Sequence, residues 1–340
     1  MSNKPFPPRN RRLHTDIMRY MREGLEKIEF DTHRAEFSLY SYDFFELQKV
    51  LSLKNPPQKN KKNSKYKLRY EGKFCGKNVK LLAFSKIPWM PPYRIIIADT
   101  NVDIFQELYH IFGESIKISK VEYKLDFYCK DNIYAGIVYA NLLRYIHFKN
   151  KKETSIAGGN FIGLDVERHE NCVFHVWNDK EFKRTYITIY ERGPDHLKKY
   201  DPFKKKHYWD HKDVDRVRFE YKVGRKKDSK SVNLRSLGAF LKDPGFYQVM
   251  MPLMNFKIFK EHNALPGPYA DHYMAEDEDG HSEIFQQEYL AAKNKRGLSP
   301  STYIQKPEGM DWLLNMVGDA LLKAERAWKR KALGKKRKRK

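Results

Sequence analysis

The sequence predicts an α+β fold: an antiparallel sheet built on β-α-β units, with helices packed on one face, then a C-terminal helical segment and a basic tail. Three observations predict it. Several segments alternate apolar and charged residues with a period of two, as in IKISKVEYKLDFY at 116–128. Between them lie stretches with apolar residues at helical spacing, such as VDIFQELYHIF. Near the end, GMDWLLNMVGDALLKAERAWKRKA (309–332) carries one long amphipathic helical pattern.

The elements follow in chain order. TDIMRYMREGLEKIE (15–29) has Ile17, Met18, Met21, Leu25 and Ile28 at helical spacing, which predicts a surface helix. KNPPQKNKKNSK (54–65) has no periodicity, two prolines and dense lysine, the pattern of a flexible basic loop. YKLRYEGKFCGKNVKLLAF (66–84) gives two strand-like runs around glycines, a hairpin. From Arg94 a β-branched run, a helix with an Asp or Thr available as cap and ending at Gly113, and the strand at 116–128 make a β-α-β unit. Asp131 can cap a largely apolar helix after it. Further strands are expected at NCVFHVW (171–177), RTYITIYER (184–192) and DRVRFEYKV (215–223), and helices at 231–241 and near 247–259. The expected organisation is an N-terminal basic module (1–90), an α+β domain (91–260), a helical C-terminal segment (261–328) and a polybasic tail (329–340).

Charge narrows the partner. Sixty-six Lys and Arg face 43 Asp and Glu, a formal charge of +23, which exceeds what solubility requires and concentrates polyanions at the surface. Nucleic acid is the default partner. Hydrophobic residues at 41% and aromatics at 14% supply a core, which excludes global disorder. Three separated cysteines form neither a disulfide framework nor a metal knuckle. No apolar stretch is long enough to span a bilayer and the N-terminus lacks a signal-peptide core, so the expectation is a cytoplasmic protein that does not engage membranes. A P-loop is absent, and GGNFIG (158–163) lacks a following lysine, which argues against ATP-driven work.

Alternation then assigns faces. If Val121, Tyr123, Leu125 and Phe127 point to the core, Lys120, Glu122, Lys124 and Asp126 share the other face. By the same rule Tyr186, Thr188, Tyr190 and Arg192 go together, as do Arg218, Glu220 and Lys222. Burying Phe174 and Val176 turns His175 and Trp177 outward. If these strands are neighbours, one surface presents Glu122, Asp126 and Glu220 among tyrosines and cations. Oxygen ligands of this kind hold Mg²⁺ or Mn²⁺, a tyrosine oxygen can attack phosphorus, and Arg and Lys hold flanking phosphates. The tail residues Lys335, Lys336, Arg337, Lys338 and Arg339 suit non-specific phosphate binding.

The order of parts resembles the rolling-circle replication initiators of plasmids and phages and the related nicking relaxases. The resemblance covers roughly 94–260 and rests on a strand ending in Leu125-Asp126-Phe127, a helix, a hairpin ending in Tyr190-Glu191-Arg192-Gly193, and the strand Arg218-Phe219-Glu220-Tyr221-Lys222. It implies an origin-binding endonuclease that nicks one strand through a 5′-phosphotyrosine. It also implies Asp126 and Glu220 as metal ligands, with Arg192 where the family has a lysine. The stretch matching the family's Tyr-x-Gly-Ser segment is His175-Val176-Trp177-Asn178-Asp179, and tryptophan cannot be a nucleophile. Tyr190 or Tyr186 takes that role, a tyrosine from elsewhere swings in, or the chain binds DNA or RNA without cleaving it. A homodimer and a host helicase or polymerase are further partners compatible with the resemblance.

Overall fold

The computed structural model describes residues 19–59, 64–145, 151–156, 175–179, 186–192, 200–201, 206–207, 215–224, 236–256, 258–259, 304–305 and 309–334. Five strands form the first half of the fold: β1 (Leu25–Leu39), β2 (Gln58–Lys59), β3 (Tyr66–Phe74), β4 (Lys77–Ser85) and β5 (Tyr93–Ala98), with helix α1 (Phe44–Val50) after β1. Helix α2 (Val102–Phe112), β6 (Ile116–Cys129) and α3 (Asn132–Tyr145) follow. Then come β7 (Lys151–Ile156), β8 (His175–Asp179), β9 (Tyr186–Glu191), the short pair β10 (Tyr200–Asp201) and β11 (Lys206–His207), and β12 (Arg216–Gly224). The chain continues through α4 (Leu237–Lys242), α5 (Phe246–Met250), β13 (Ile258–Phe259), β14 (Ile304–Gln305) and α6 (Asp311–Gly334).

Ten strands join in one sheet, in the order β2-β3-β4-β5-β1-β6-β12-β9-β8-β7, and each neighbouring pair runs antiparallel. The expected α+β class, with an antiparallel sheet, is the architecture found. Its β-α-β unit is split: β5 and β6 are parallel to each other, and β1 lies between them. The boundary expected near residue 90 therefore falls within a continuous sheet. Helix α6 likewise packs on the same core, since Trp328 meets Phe105, Phe240 and Phe246 at 5.2–5.6 Å between ring centroids.

Local chemistry explains the elements. Cys75 and Gly76 both adopt positive φ in the two-residue β3–β4 turn, the conformation that matches strand twist. Asn101, not the Asp or Thr expected, caps α2 by accepting from the Ile104 amide, and Gly113 ends it at φ 52°. Asp131 caps α3 through the Tyr134 amide at 2.9 Å, and Ser236 caps α4. Two expectations are corrected. Of the predicted 15–29 helix, residues 19–24 are helical and the chain turns to strand at Leu25, while 15–18 lie outside the described residues. The tail expected from 329 continues as α6 through Gly334, and Lys335 to Arg339 lie outside the described residues.

The core fills one face of the sheet. Phe30 and Tyr123 on β1 and β6 receive Phe246 of α5, and Phe37 receives Phe105 of α2. Ala135, Val138 and Leu142 of α3 join them. All of Val121, Tyr123, Leu125 and Phe127 are buried there, as alternation requires. The opposite face of β6 is left for charge.

Candidate functional site

Four adjacent strands build the polar face. On β6 the series Asp126, Lys124, Glu122 stands in register with Arg218, Glu220, Lys222 on β12, and these with Tyr190, Thr188 and Tyr186 on β9. On the other side of β6, Glu29, Asp31 and Arg34 of β1 complete the rows. Directly opposed residues share a face, so acids meet bases between β6 and β12, Asp31 meets Lys124 and Arg34 meets Glu122 across β1 and β6, and Glu29 stands opposite Asp126. The side chain of Tyr186 lies outside the described residues, and its register position, opposite Lys222, belongs to this series.

Each carboxylate has its own partners. Arg218 grips both oxygens of Asp126, Nε to Oδ1 at 2.6 Å and Nη2 to Oδ2 at 2.9 Å, and Arg216 Nη1 adds a contact to Oδ2 at 3.3 Å. Lys222 Nζ sits 3.1 Å from Glu122 Oε1, with both side chains buried. Tyr190 donates its hydroxyl proton to Glu220 Oε1 at 2.7 Å, while Arg218 Nη1 lies 3.7 Å from the same oxygen. Arg192, also buried, places its guanidinium 6.0 Å from the Tyr190 ring centre.

Burial pushes the Glu220 carboxyl up to about 7; the Tyr190 hydrogen bond and the Arg218 charge oppose that rise, and the charge of Glu122 adds to it. Lys222 is held below the usual lysine range by burial, against the pull of Glu122. A strand irregularity brings in a residue that alternation missed. His33 is the extra residue of a bulge between Thr32 and Arg34 in β1, and a bulge re-aims the side chain it carries. Its Nε2 comes to 4.0 Å from Glu220 Oε1 and its Nδ1 to 3.6 Å from Asp99 Oδ1. Burial, reinforced by the positive Arg218, holds His33 below its ordinary range and neutral at pH 7. The signal lost in the sequence is the bulge itself.

Asp126, Glu220 and Glu122, the expected ligands of one Mg²⁺ or Mn²⁺, each stand against a cation or a hydroxyl in this arrangement. A hard divalent ion needs free oxygen ligands, and Asp126 has both oxygens bound to arginine while Glu122 faces a lysine. Among the described residues no three His, Cys, Asp or Glu side chains come together as a metal site. In the ladder His175 and Trp177 stand opposite Ile189 and Ile187, and Val176 opposite Thr188; their side chains lie outside the described residues.

Comparison with known proteins adds one likeness. The chain is similar to the solved structure of a rolling circle replication initiator protein from Geobacillus stearothermophilus, at 11% identity and a TM-score of 0.36 over 69% of this chain and 88% of that one. No family model matches the chain, and no curated protein matches it. No helix among the described residues is long and apolar enough to cross a membrane.

What the arrangement can do chemically follows from three groups. A tyrosine hydroxyl is hydrogen-bonded to a carboxylate whose proton affinity is tuned to neutral pH. Arginines 216, 218 and 192 and Lys222 surround them, which suits the charge of a phosphate.

Proposed function

We propose that this protein nicks one strand of DNA by tyrosine transesterification, as a replication initiator of the rolling-circle type. Tyr190 Oη attacks a backbone phosphorus, the P–O3′ bond breaks, and the 5′ side stays bound to the tyrosine. The phenolic proton passes to Glu220, and the departing 3′ oxygen takes a proton from solvent. Arg218 and Arg192 neutralise the phosphate.

The observation that carries this reading is the 2.7 Å hydrogen bond from Tyr190 to Glu220. A hydroxyl nucleophile hydrogen-bonded to a carboxyl that burial pushes up to about 7 is the arrangement such a reaction needs. The motifs around Tyr190 and Glu220 and the net charge of +23 support it from the sequence. With Asp126 bound to arginine and Glu122 to lysine, no step runs through a metal.

The test is to incubate supercoiled DNA of the native replicon with the protein, with and without Mg²⁺ or Mn²⁺. Open circles with protein on a 5′ end support the reading. Tyr190→Phe abolishes them while retaining DNA affinity, and Tyr186→Phe does not. A second reading, a DNA- or RNA-binding protein without catalysis, is favoured by one observation: Tyr190 is only 5% exposed and Asp126 is locked between two arginines. It predicts binding with no adduct under any condition.

A further inference from the structure

Far from Tyr190, the loop joining β4 to β5 (86–92) holds Trp89 at 85% exposure. A large indole in water is unfavourable by a few kcal/mol at ~25 cal/mol per Å², so its exposure asks for a purpose. It makes no ring contact, hydrogen bond or ion pair among the described residues. The loop beneath it is not loose. The Met90 amide donates to the Ile87 carbonyl at 3.0 Å, with Pro88 at the second position of the turn, and the Ile87 amide donates to Ser85 Oγ at 3.1 Å. The Lys86 amide donates to the Lys65 carbonyl at 2.8 Å, and the Tyr66 hydroxyl to the Pro91 carbonyl at 3.3 Å. Three prolines, at 88, 91 and 92, stiffen what remains.

In sequence, the segment that carries this turn is one-sided in charge. Between residues 54 and 98 stand twelve Lys and Arg and a single acid, Glu71, which is paired with Arg69. Lys65, Lys67 and Lys86 are exposed beside the loop. A rigid aromatic ring in a cationic field is the composition of a base-stacking platform. An acidic protein would also answer the charge, but the ring's flat face suits a nucleobase and the surrounding lysines suit a phosphate at each side. Bases within a duplex are covered by their neighbours, so an unpaired strand is the occupant that fits.

We infer that Trp89 is a stacking site for single-stranded DNA, with Lys65 and Lys86 on the flanking phosphates. β4 lies five strands from β9, and the loop leaves the sheet at the strand end opposite Tyr190, which separates the two by on the order of 40 Å. The site therefore extends the DNA path well beyond the nicking residues. It rests on the DNA-binding part of the proposed function and not on the chemistry at Tyr190.

The test uses the full chain with fluorescently labelled dT30 and a 30-base-pair duplex, at one fixed salt concentration, by anisotropy. Trp89→Ala weakens dT30 binding about tenfold or more, Trp89→Phe stays within about threefold of the wild type, and duplex affinity is unchanged. Equal affinity of Trp89→Ala and the wild type for dT30 overturns the inference, as does an equal loss on dT30 and duplex. Loss of a dimer in Trp89→Ala without loss of dT30 binding overturns it in favour of a second copy of the chain. Because Trp89 is exposed, the variant folds, which circular dichroism verifies. A protein that binds dT30 through Trp89 yet never nicks separates this inference from the nicking proposal.

Discussion

Arg218 holds Asp126 through two parallel hydrogen bonds, 2.6 and 2.9 Å long, between side chains that are each 4% exposed. This pair ties β12 to β6 at the centre of the sheet, in direct register. Breaking a buried pair from one side leaves a desolvated charge behind, which costs more than the pair contributes. Asp126→Ala removes the carboxylate that two buried arginines share and is expected to lower stability by about 3–5 kcal/mol in urea unfolding. Asp126→Leu combined with Arg218→Met restores most of it. If Asp126→Ala alone unfolds at the wild-type midpoint, the pair is not the sheet's electrostatic tie, and loss of nicking in that variant could then be assigned to chemistry.

Glu220 predicts a pH dependence. Its carboxyl titrates near 7 in the folded chain against 4.5 for an unperturbed glutamate, so the folded state binds the extra proton. Stability from this group is full below about 4.5, falls as pH rises, and levels off above 7. The difference is about 3 kcal/mol. Glu220→Gln removes that decline, so the wild type loses stability relative to the variant between pH 4.5 and 7.5. Parallel stability curves for the two proteins over that range would contradict the burial of Glu220.

Tyr123 is fully buried beneath Phe30 and Phe246, and its hydroxyl has no hydrogen-bond partner among the described residues. An unsatisfied buried hydroxyl destabilises by about 1–3 kcal/mol. Tyr123→Phe keeps the ring and removes the cost, so thermal unfolding should move upward by several degrees. A decrease would mean that the hydroxyl has a partner.

Gly72 in β3 faces the backbone that follows α1. A methyl group at this position would collide with the Leu51 carbonyl oxygen and approach that of Ser52 to 2.8 Å. The same backbone is fixed by hydrogen bonds from Lys73 N to Leu51 O and from Lys54 N to Glu71 O. An unhindered strand Gly→Ala would gain roughly 0.5–1 kcal/mol; at Gly72 the collision reverses that sign, so Gly72→Ala is destabilising, and Gly76→Ala, which meets no atom within 4 Å, is destabilising through its positive φ alone. Equal midpoints for Gly72→Ala and the wild type would show that the α1 segment is not docked on β3.

Much of the polar face was legible in the sequence because a strand has only two faces. Alternation in 116–128 and 215–223 separated Tyr123 and Phe219 from Asp126 and Glu220, and the ladder pairs those acids with cations as neighbours. What alternation does not carry is which neighbour takes which acid, and so it grouped as ligands three carboxylates that stand against an arginine, a lysine and a tyrosine. It also fails where periods coincide. Met21, Leu25 and Ile28 fit a helical spacing, and the chain nonetheless enters β1 at Leu25 because that strand completes the sheet between β5 and β6. In β8 the ladder pairs Trp177 with Ile187 and Val176 with Thr188, a register that alternation within five residues does not set. His33 was hidden for the same reason, since a bulge has no sequence period.

The central claim is that Tyr190 is the nucleophile and Glu220 its base. The most direct measurement is mass spectrometry of the peptide left attached to DNA after reaction with supercoiled native replicon DNA, followed across pH. The account predicts a 5′-phosphodiester on Tyr190, a rate that rises as pH passes 7, and a loss of about 10²-fold or more with that rise abolished in Glu220→Gln. An adduct on Tyr186 or another tyrosine, or no adduct at all with intact DNA binding, would contradict it.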